Sequence, residues 1–113
     1  MAKKQADRFN LGKPQWSLLP RFVLTFLMDV LEYGCSKYSP HQWKKGLNRE
    51  EILESIQRHL DALFDGEEWD TDKKKHPTHH IGHIMANCVF YLYFFVKGGF
   101  AKKRNTELGA KFK

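Results

Sequence analysis

The sequence has few cysteines and lacks the motifs of several common enzyme classes. Its two cysteines, Cys35 and Cys88, form no CxxC pair, so a zinc site made of thiolates is excluded and a reduced, cytoplasmic protein is expected. It contains no glycine-rich phosphate loop and no Ser/His/Asp or Cys/His arrangement, which argues against covalent catalysis. The apolar run 89–96 is shorter than the ~20 residues that a bilayer span needs, so no membrane association is expected.

What the chain does have is enough apolar material for one folded domain. Of its 113 residues, 42% are hydrophobic and 14% aromatic, which predicts a single domain over residues 1–113. The formal net charge of +6 favours anionic partners, and much of it lies in residues 1–12 and 98–113. We expect these ends to be flexible. They could serve solubility and weak contact with nucleic acid, or grip a phosphate backbone.

The hydrophobic pattern predicts an all-α fold, a compact bundle of three long helices with short extra ones. An extended arm over 13–20 precedes helix one at about 20–37, and an Asn48 cap begins helix two, which ends near Gly66. A charged connector then leads to helix three at about 77–97.

The predicted core residues recur at helical spacing in each helix. They are Leu24, Leu27, Met28, Leu31, Cys35 and Tyr38 in helix one, Ile52, Ile56, Leu60 and Leu63 in helix two, and Ile81, Ile84, Met85, Cys88, Leu92 and Phe95 in helix three. The further aromatic residues Phe90, Tyr91 and Phe94 exceed what one small domain needs, which predicts a homodimer or a higher assembly.

Polar donor side chains are concentrated between residues 57 and 87. The carboxylates Glu67 and Asp70 are three residues apart, and so are the later histidines His80 and His83. Such oxygen and nitrogen donors suit a divalent metal. Because helical residues turn by ~100° each, His80, His83 and Asn87 share one stripe of helix three. Three donors on one stripe indicate a functional role more strongly than a single histidine would.

Three further residues have both a functional and an ordinary interpretation. His59 lies at the edge of the apolar face of helix two, with Arg58 beside it on the polar side. Alone, His59 would more often be a hydrogen-bonded histidine at the core edge. Glu32 lies on a polar stripe of helix one near the core, where it could be a metal ligand or part of a solvated face.

One motif match carries little weight. Glu51-x-x-Glu54 followed by Glu67-x-x-Asp70 has the form of the signature of MazG-like nucleotide pyrophosphohydrolases. However, Glu51 and Glu54 project away from the apolar face of helix two, whereas ligands of a shared metal should lie where helices face each other. We therefore interpret Glu51 and Glu54 as surface residues and retain Glu67 and Asp70 as candidates.

The tryptophans of the arm and of the first loop also allow two interpretations. Trp16 and Trp43 could cover the ends of a small core, as aromatic residues often do. They could instead stack on a nucleobase, with Lys13 and Lys37 nearby for phosphates.

In their order along the chain, these motifs resemble a family of small, largely phage-borne proteins named for dATP/dGTP diphosphohydrolase activity. The resemblance spans roughly residues 13–95. It rests on Lys13-Pro14, Leu18-Leu19-Pro20, Tyr33-Gly34-Cys35-Ser36-Lys37-Tyr38, Trp43, Arg58-His59-Leu60, Gly66-Glu67-x-x-Asp70 and His80-x-x-His83-x-x-x-Asn87.

The resemblance implies hydrolysis of a purine deoxynucleoside triphosphate, dGTP or dATP, to monophosphate and pyrophosphate with Mg²⁺ or Mn²⁺. The location would be the host cytoplasm if the chain is phage-encoded. The implied metal ligands are Glu32, Glu67, Asp70 and His83. The implied catalytic residues are Glu67, Asp70, His59 and His83, and those implied to bind or orient substrate are Lys13, Trp16, Lys37, Trp43, Arg58, His80 and Asn87.

One alternative is a protein without catalytic activity, and another is an enzyme that cuts a different bond of the nucleotide. A non-catalytic protein that binds nucleic acid through its basic ends, or binds a host factor, would have the same composition. Release of nucleoside and triphosphate is typical of sites that use an adjacent His-Asp pair, and none occurs here, since Leu60 separates His59 from Asp61. We therefore expect attack at the α-phosphorus.

Overall fold

The computed structural model describes residues 6–9, 11–71 and 76–102, and it is all-α with one very small sheet. The α-helices are α1 (Leu24–Lys37), α2 (Arg49–Phe64) and α3 (His80–Lys97), and 3-10 turns occur at Trp16–Leu18, Arg21–Val23 and Gln42–Lys45. The strands β1 (Trp69–Asp70) and β2 (Thr78–His79) form an antiparallel pair. None of the described helices is long and apolar enough to cross a membrane. The predicted fold class is confirmed.

The arm before α1 differs from the prediction. Residues 13–20 are not extended throughout, because Leu18 N–H donates to Gln15 O and Leu19 N–H to Trp16 O, both at 3.0 Å, in a 3-10 turn. A proline restricts its own φ and the conformation of the residue before it, so Pro14 and Pro20 leave residues 15–18 free to turn. The turn Arg21–Val23 then leads directly into α1, close to the predicted start.

Both ends of α2 follow the capping chemistry of the sequence. The Asn48 side chain accepts a hydrogen bond from Glu51 N–H at 3.0 Å. At the other end Gly66 has φ +86°, and its N–H donates to Leu63 O at 2.9 Å while Glu67 N–H donates to Ala62 O at 2.9 Å. These two bonds form a Schellman motif, which fixes the direction of the chain that follows. The predicted cap and stop of helix two are confirmed.

The predicted charged connector contains strand structure instead. Trp69 pairs with His79 and Asp70 with Thr78, so α3 begins at His80 rather than at residues 77–78. Strands of two residues are too short to leave an alternating pattern in the sequence, which is why periodicity missed them. The lysine-rich stretch 72–75 lies outside the described residues.

Helix α3 is the central helix and packs against both α1 and α2. Its Ala86 and Phe94 are buried, as is Ile52 of α2. A Cβ on Gly82 would overlap the carbonyl oxygen of Phe26 and lie 2.9 Å from its carbonyl carbon, so glycine permits the close approach of α1 and α3.

The predicted core face of α3 is wrong in part. Ile81, Cys88, Leu92 and Phe95 are exposed, since the helix turns its Gly82–Ala86 side and its polar stripe toward its neighbours. In α1 and α2, the predicted core residues Met28, Cys35, Tyr38 and Leu60 are also exposed. A continuous apolar stripe indicates burial in some contact, but it does not say in which one.

The aromatic residues that suggested an oligomer are covered within the chain. Trp43 packs against Phe90, Tyr93 and Phe94, with ring centroids 4.7 Å, 4.9 Å and 6.1 Å away. Phe100 packs against Phe94 and against Tyr91. These rings therefore give no support to the predicted assembly, which stays a prediction.

The chain after α3 returns to the start of α2. Ala101 N–H donates to Leu47 O at 2.9 Å, and the Asn48 side-chain amide donates to Ala101 O at 3.0 Å. Within the predicted flexible end 98–113, these bonds tie down residue 101. Residues 1–5, 10 and 103–113, which carry much of the terminal charge, lie outside the described residues.

Candidate metal centre

Three histidines from α2 and α3 form one cluster. Nδ1 of His59 lies 2.8 Å from Nδ1 of His80, so one ring donates and the other accepts. The ring of His83 stacks on that of His59, with centroids 4.2 Å apart and planes inclined by 4°. The structure thus brings together three histidines that the sequence places on two different helices.

The start of α3 explains why its histidines face α2. The side chain of His79 caps the helix, since its Nδ1 accepts from Ile81 N–H at 3.0 Å. With Nδ1 accepting, Nε2–H donates to Glu68 Oε2 at 2.7 Å. His79 is thereby held outside the cluster, while His80 and His83, three positions apart, share the helix face that meets His59.

Two carboxylates reach the cluster from the segment between α2 and α3. The hairpin carries Asp70, whose Oδ2 lies 3.7 Å from Nε2 of His83. The Schellman motif at Gly66 directs Glu67, whose Oε2 lies 3.6 Å from Nε2 of His80. Both residues were predicted site residues, and the turn at Gly66 and the hairpin explain how they reach the histidines.

The cluster fits a divalent cation. Candidate ligand atoms of His59, Asp70 and His80 all lie within 4.8 Å of one another. Nε2 of His80 is buried and has no hydrogen-bond partner, an arrangement that costs free energy unless a ligand satisfies it. Imidazole and carboxylate together suit manganese or a similar transition metal better than magnesium, which prefers an all-oxygen shell.

The electrostatics of the cluster favour the neutral form of two of its imidazoles, those of His59 and His83. Burial lowers the pKa of His59 to about 4, helped by the neighbouring His83 and His80, while Asp70 opposes the shift. Burial also lowers the pKa of His83, again against the influence of Asp70. Neutral imidazole is the form that binds a metal, so these rings can coordinate without first losing a proton.

Two hydroxyl groups that sequence reasoning missed support the cluster. Oγ1 of the buried Thr78 is hydrogen-bonded to Nε2 of His83 at 2.6 Å. The side-chain amide of Asn87 donates to Ser55 Oγ at 3.2 Å and to His83 O at 2.9 Å, which joins α2 to α3 one turn from His83. A lone threonine or serine carries no sequence signal, so only the fold could reveal these contacts.

A cleft of about 300 Å³ adjoins the cluster. Its lining consists of Asp29, Glu32, Tyr33, His76, Pro77 and Thr78. Glu32, a predicted metal ligand, lines this cleft and does not belong to the group of donor atoms formed by His59, Asp70 and His80. The ammonium group of Lys37 lies 5.1 Å from the centroid of the Tyr33 ring, which brings this predicted phosphate contact to the side of the cleft.

The remaining predicted site residues lie outside the cluster. Arg58 is exposed beside His59, and its charge contributes to the lowered pKa of that histidine. Trp43 packs on Phe90 of α3, ten residues after His80 and therefore ~15 Å away along the helix. It covers one end of the core, which is one of the two roles that the sequence allowed. Lys13 and Trp16 line a second, open cleft in the arm. Among the described residues, the donor group includes neither Glu51 nor Glu54.

Fold and site together define a class, a small all-α protein with a histidine–carboxylate cluster suited to a divalent cation. The family model described as "dATP/dGTP diphosphohydrolase, N-terminal" matches residues 3–104 of the chain. The chain belongs to this family. Comparisons with curated proteins and with solved structures gave no match.

Proposed function

We propose that the protein hydrolyses purine deoxynucleoside triphosphates to monophosphate and pyrophosphate with a divalent cation. The observation that carries the proposal is the convergence of His59, Asp70 and His80, whose donor atoms lie within 4.8 Å of one another. The family match supports a nucleotide as substrate, because the family is named for diphosphohydrolases of dATP and dGTP.

His59, Asp70 and His80 would hold the cation, with Glu67 and His83 at its edge. This ligand set shares only Asp70 with the one expected from sequence, since His59 and His80 replace Glu32 and since Glu67 and His83 move to the edge of the donor group. A cation bound there supplies Lewis acidity and a bound water of lowered pKa. The imidazole ligands favour Mn²⁺ over Mg²⁺.

Glu67 is the best-placed general base. Its side chain is about half exposed, and Oε2 lies 3.6 Å from Nε2 of His80, so the carboxylate faces both the cluster and solvent. Oε2 would accept the proton of the attacking water as the new P–O bond forms and pyrophosphate leaves. The cations of Arg58 and Lys37 would offset the triphosphate charge.

The expected reaction is attack at the α-phosphorus. The cleft beside the cluster, with Tyr33 and His76 in its wall, gives room for the nucleoside part close to the donor group. Binding the nucleoside there would bring the α-phosphate, the phosphate nearest to the sugar, closest to the cluster. Turnover of dGTP in oxygen-18 water should therefore leave the label in dGMP. Label in free phosphate, or release of unlabelled nucleoside, would refute this assignment.

Two adjacent glutamates offer a matched test of the base. Glu67→Gln removes the proton acceptor and should lower kcat for dGTP with Mn²⁺ by about 10²-fold or more. Glu68→Gln changes the neighbouring carboxylate, whose side chain is 62% exposed against 54% for Glu67, and glutamine can still accept the hydrogen bond of His79. This control should retain activity.

The proposal has clear failure conditions. If purified protein with Mn²⁺ or Mg²⁺ leaves dGTP and dATP intact, it is wrong. If both glutamine variants lose activity equally, the assignment of the base to Glu67 is wrong, because the loss would then reflect the fold of this segment.

A further inference from the structure

Cations from separate parts of the chain meet at the end of α3 that lies away from the candidate metal centre. Ala101 is hydrogen-bonded to Leu47 and Asn48, and a Cβ on Gly46 would lie 3.3 Å from that of Ala101. These contacts place the loop before α2 beside the residues that follow α3. The next residues along the chain from these contacts are cations: Lys45, Arg49 and Lys102.

Lys44 and Lys97 extend this group along one side of α3. The ammonium group of Lys44 lies 5.7 Å from the centroids of the Trp43 and Tyr93 rings. Lys97 comes four residues after Tyr93, so it lies ~40° from Tyr93 around the helix and about one turn further along it. Helical side chains lean toward the helix N-terminus, which directs Lys97 over the turn of Tyr93. We call the following residues, which are all exposed, the basic end: Lys44, Lys45, Arg49, Lys97 and Lys102.

Two contacts with one tyrosine hold Arg49 in place at the basic end. Its Nε–H donates to the Tyr91 hydroxyl at 3.0 Å, and its guanidinium carbon lies 5.5 Å from the centroid of that ring. The guanidinium group has four further N–H donors, and the hydroxyl, which accepts from Arg49, can donate its own proton. A cation beside a hydroxyl donor is a combination that binds phosphate oxygens.

The charge of the molecule differs between the two ends of α2. At its start, the five cations of the basic end outnumber the carboxylates of the first turn, Glu50 and Glu51. The last turn of α2 and the segment after it carry Asp61, Asp65, Glu67, Glu68 and Asp70. A helix of 16 residues is ~24 Å long, about three Debye lengths at physiological ionic strength. A polyanion is therefore attracted to the basic end and not to the metal-centre end.

The surroundings of the basic end favour a nucleic acid over a membrane as the polyanion. The rings of Trp43 and Tyr93 pack against each other, with centroids 4.9 Å apart, so they are not presented for insertion into lipid. The exposed apolar side chains Leu92 and Phe95 lie ~140° and ~160° from Lys97 around α3. A membrane contact combines cations and inserted apolar side chains on one surface, whereas a phosphate backbone requires charge alone.

We propose that the basic end binds the phosphate backbone of a nucleic acid duplex without preference for sequence. A duplex carries one negative charge per ~1.7 Å of its axis, so several cations of the basic end contact phosphates at once. The chain continues from Lys102 into Lys103 and Arg104, which add two cations in sequence. This inference does not depend on the proposed activity, because the basic end lies away from the histidines.

The salt dependence of binding to duplex DNA tests the proposal. Fluorescence anisotropy with a labelled duplex of about 20 base pairs should give a micromolar Kd at about 50 mM salt. The logarithm of the association constant should fall with the logarithm of the salt concentration with a slope of about −4. EDTA in the buffer and the absence of a triphosphate keep the candidate metal centre out of the measurement. An RNA duplex should compete, since the contact is with phosphates.

Two double variants of equal charge locate the contact. Lys44→Gln with Lys97→Gln should raise the Kd at about 50 mM salt by at least about tenfold and reduce the size of the slope by about 1.8. Arg8→Gln with Arg21→Gln removes the same charge at exposed positions before α1 and should leave the Kd within about twofold. Circular dichroism on both double variants checks that the helices remain.

Four results would overturn the proposal. The first is no binding of the duplex at about 50 mM salt. The second is an equal loss in both double variants, which would show that net charge and not this surface attracts the duplex. The third is unchanged binding without Lys44 and Lys97, which would place the contact on another part of the chain. The fourth is tighter binding to phosphatidylserine vesicles, or equal competition by polyglutamate, which would identify a different partner.

Discussion

His80 is the side chain on which the candidate metal centre depends most. One of its ring nitrogens lies 2.8 Å from Nδ1 of His59, and the other is buried without a hydrogen-bond partner. If Mn²⁺ binds as proposed, it should raise the Tm of the wild type, and His80→Asn, which removes the ring, should abolish that rise. At a metal concentration of 100 Kd that stabilisation would be about 2.7 kcal/mol. A thermal melt with and without Mn²⁺ measures it.

The matched control for this change is a histidine outside the cluster. His41 is exposed, and its φ of +63° is a conformation that asparagine tolerates, so His41→Asn should keep the full response to Mn²⁺. If His80→Asn proves too unstable to purify, Asp70→Asn removes a ligand from the hairpin instead. An undiminished Mn²⁺ response in both folded variants would contradict the assigned centre.

The sequence predicted the polar residues of the site better than their supports. His59, Glu67, Asp70, His80 and His83 could be recognised because titratable donors at regular spacing stand out from a helical pattern. The sequence could not predict the role of each of these residues, because the packing of α2 against α3 decides which ring nitrogen faces which neighbour. Thr78 and Ser55 gave no signal, because single hydroxyl residues occur everywhere on protein surfaces.

The crossing of α1 and α3 depends on a glycine inside a helix. Gly82→Ala should destabilise the protein by about 1–3 kcal/mol, because its Cβ would meet the carbonyl group of Phe26 and force the helices apart. Gly34 offers the opposite case, since a Cβ there meets nothing within 4 Å. Gly34→Ala, in the interior of α1, should stabilise the protein by up to about 1 kcal/mol. Urea unfolding of both variants gives the comparison.

If Gly82→Ala leaves the free energy of unfolding unchanged, the close approach of α1 and α3 at Gly82 is disproved. A loss of stability in both variants would also count against it, because a general cost of alanine would then explain the result.

The ends of helices were predictable, whereas the direction of their faces was not. Asn48 and Gly66 mark α2 because caps depend on chemistry within a few residues. The strands at Trp69–Asp70 and Thr78–His79 depend on a pairing across a gap in the chain, which no local pattern reveals. The exposed residues Ile81, Cys88, Leu92 and Phe95 of α3 were predicted as core, because hydrophobic spacing alone does not say which face of a helix its neighbours cover.

Acid should destabilise the molecule as a whole through its neutral histidines. The pKa of His59 is lowered to about 4 in the fold, below the value near 6.5 of an unfolded chain. Between these values the unfolded state binds more protons, so stability rises with pH. The stabilising effect is complete above pH 6.5 and is lost as the pH falls toward 4. Urea midpoints of metal-free protein at pH 7, 6 and 5 should decrease in that order.

Replacing His59 separates this effect from other acid-sensitive groups. His59→Gln should flatten the decline between pH 7 and 5, whereas His41→Asn should follow the wild type. An unchanged slope in His59→Gln would show that this histidine titrates normally in the fold.

The return of the chain after α3 has a practical consequence. Because Ala101 is hydrogen-bonded to Leu47 and Asn48, Lys102 emerges beside the start of α2. That point lies at the far end of α3 from His80, and a helix of 18 residues is ~27 Å long. Lys102 is therefore an attachment point, where a dye or a surface linker would stand well clear of the histidines.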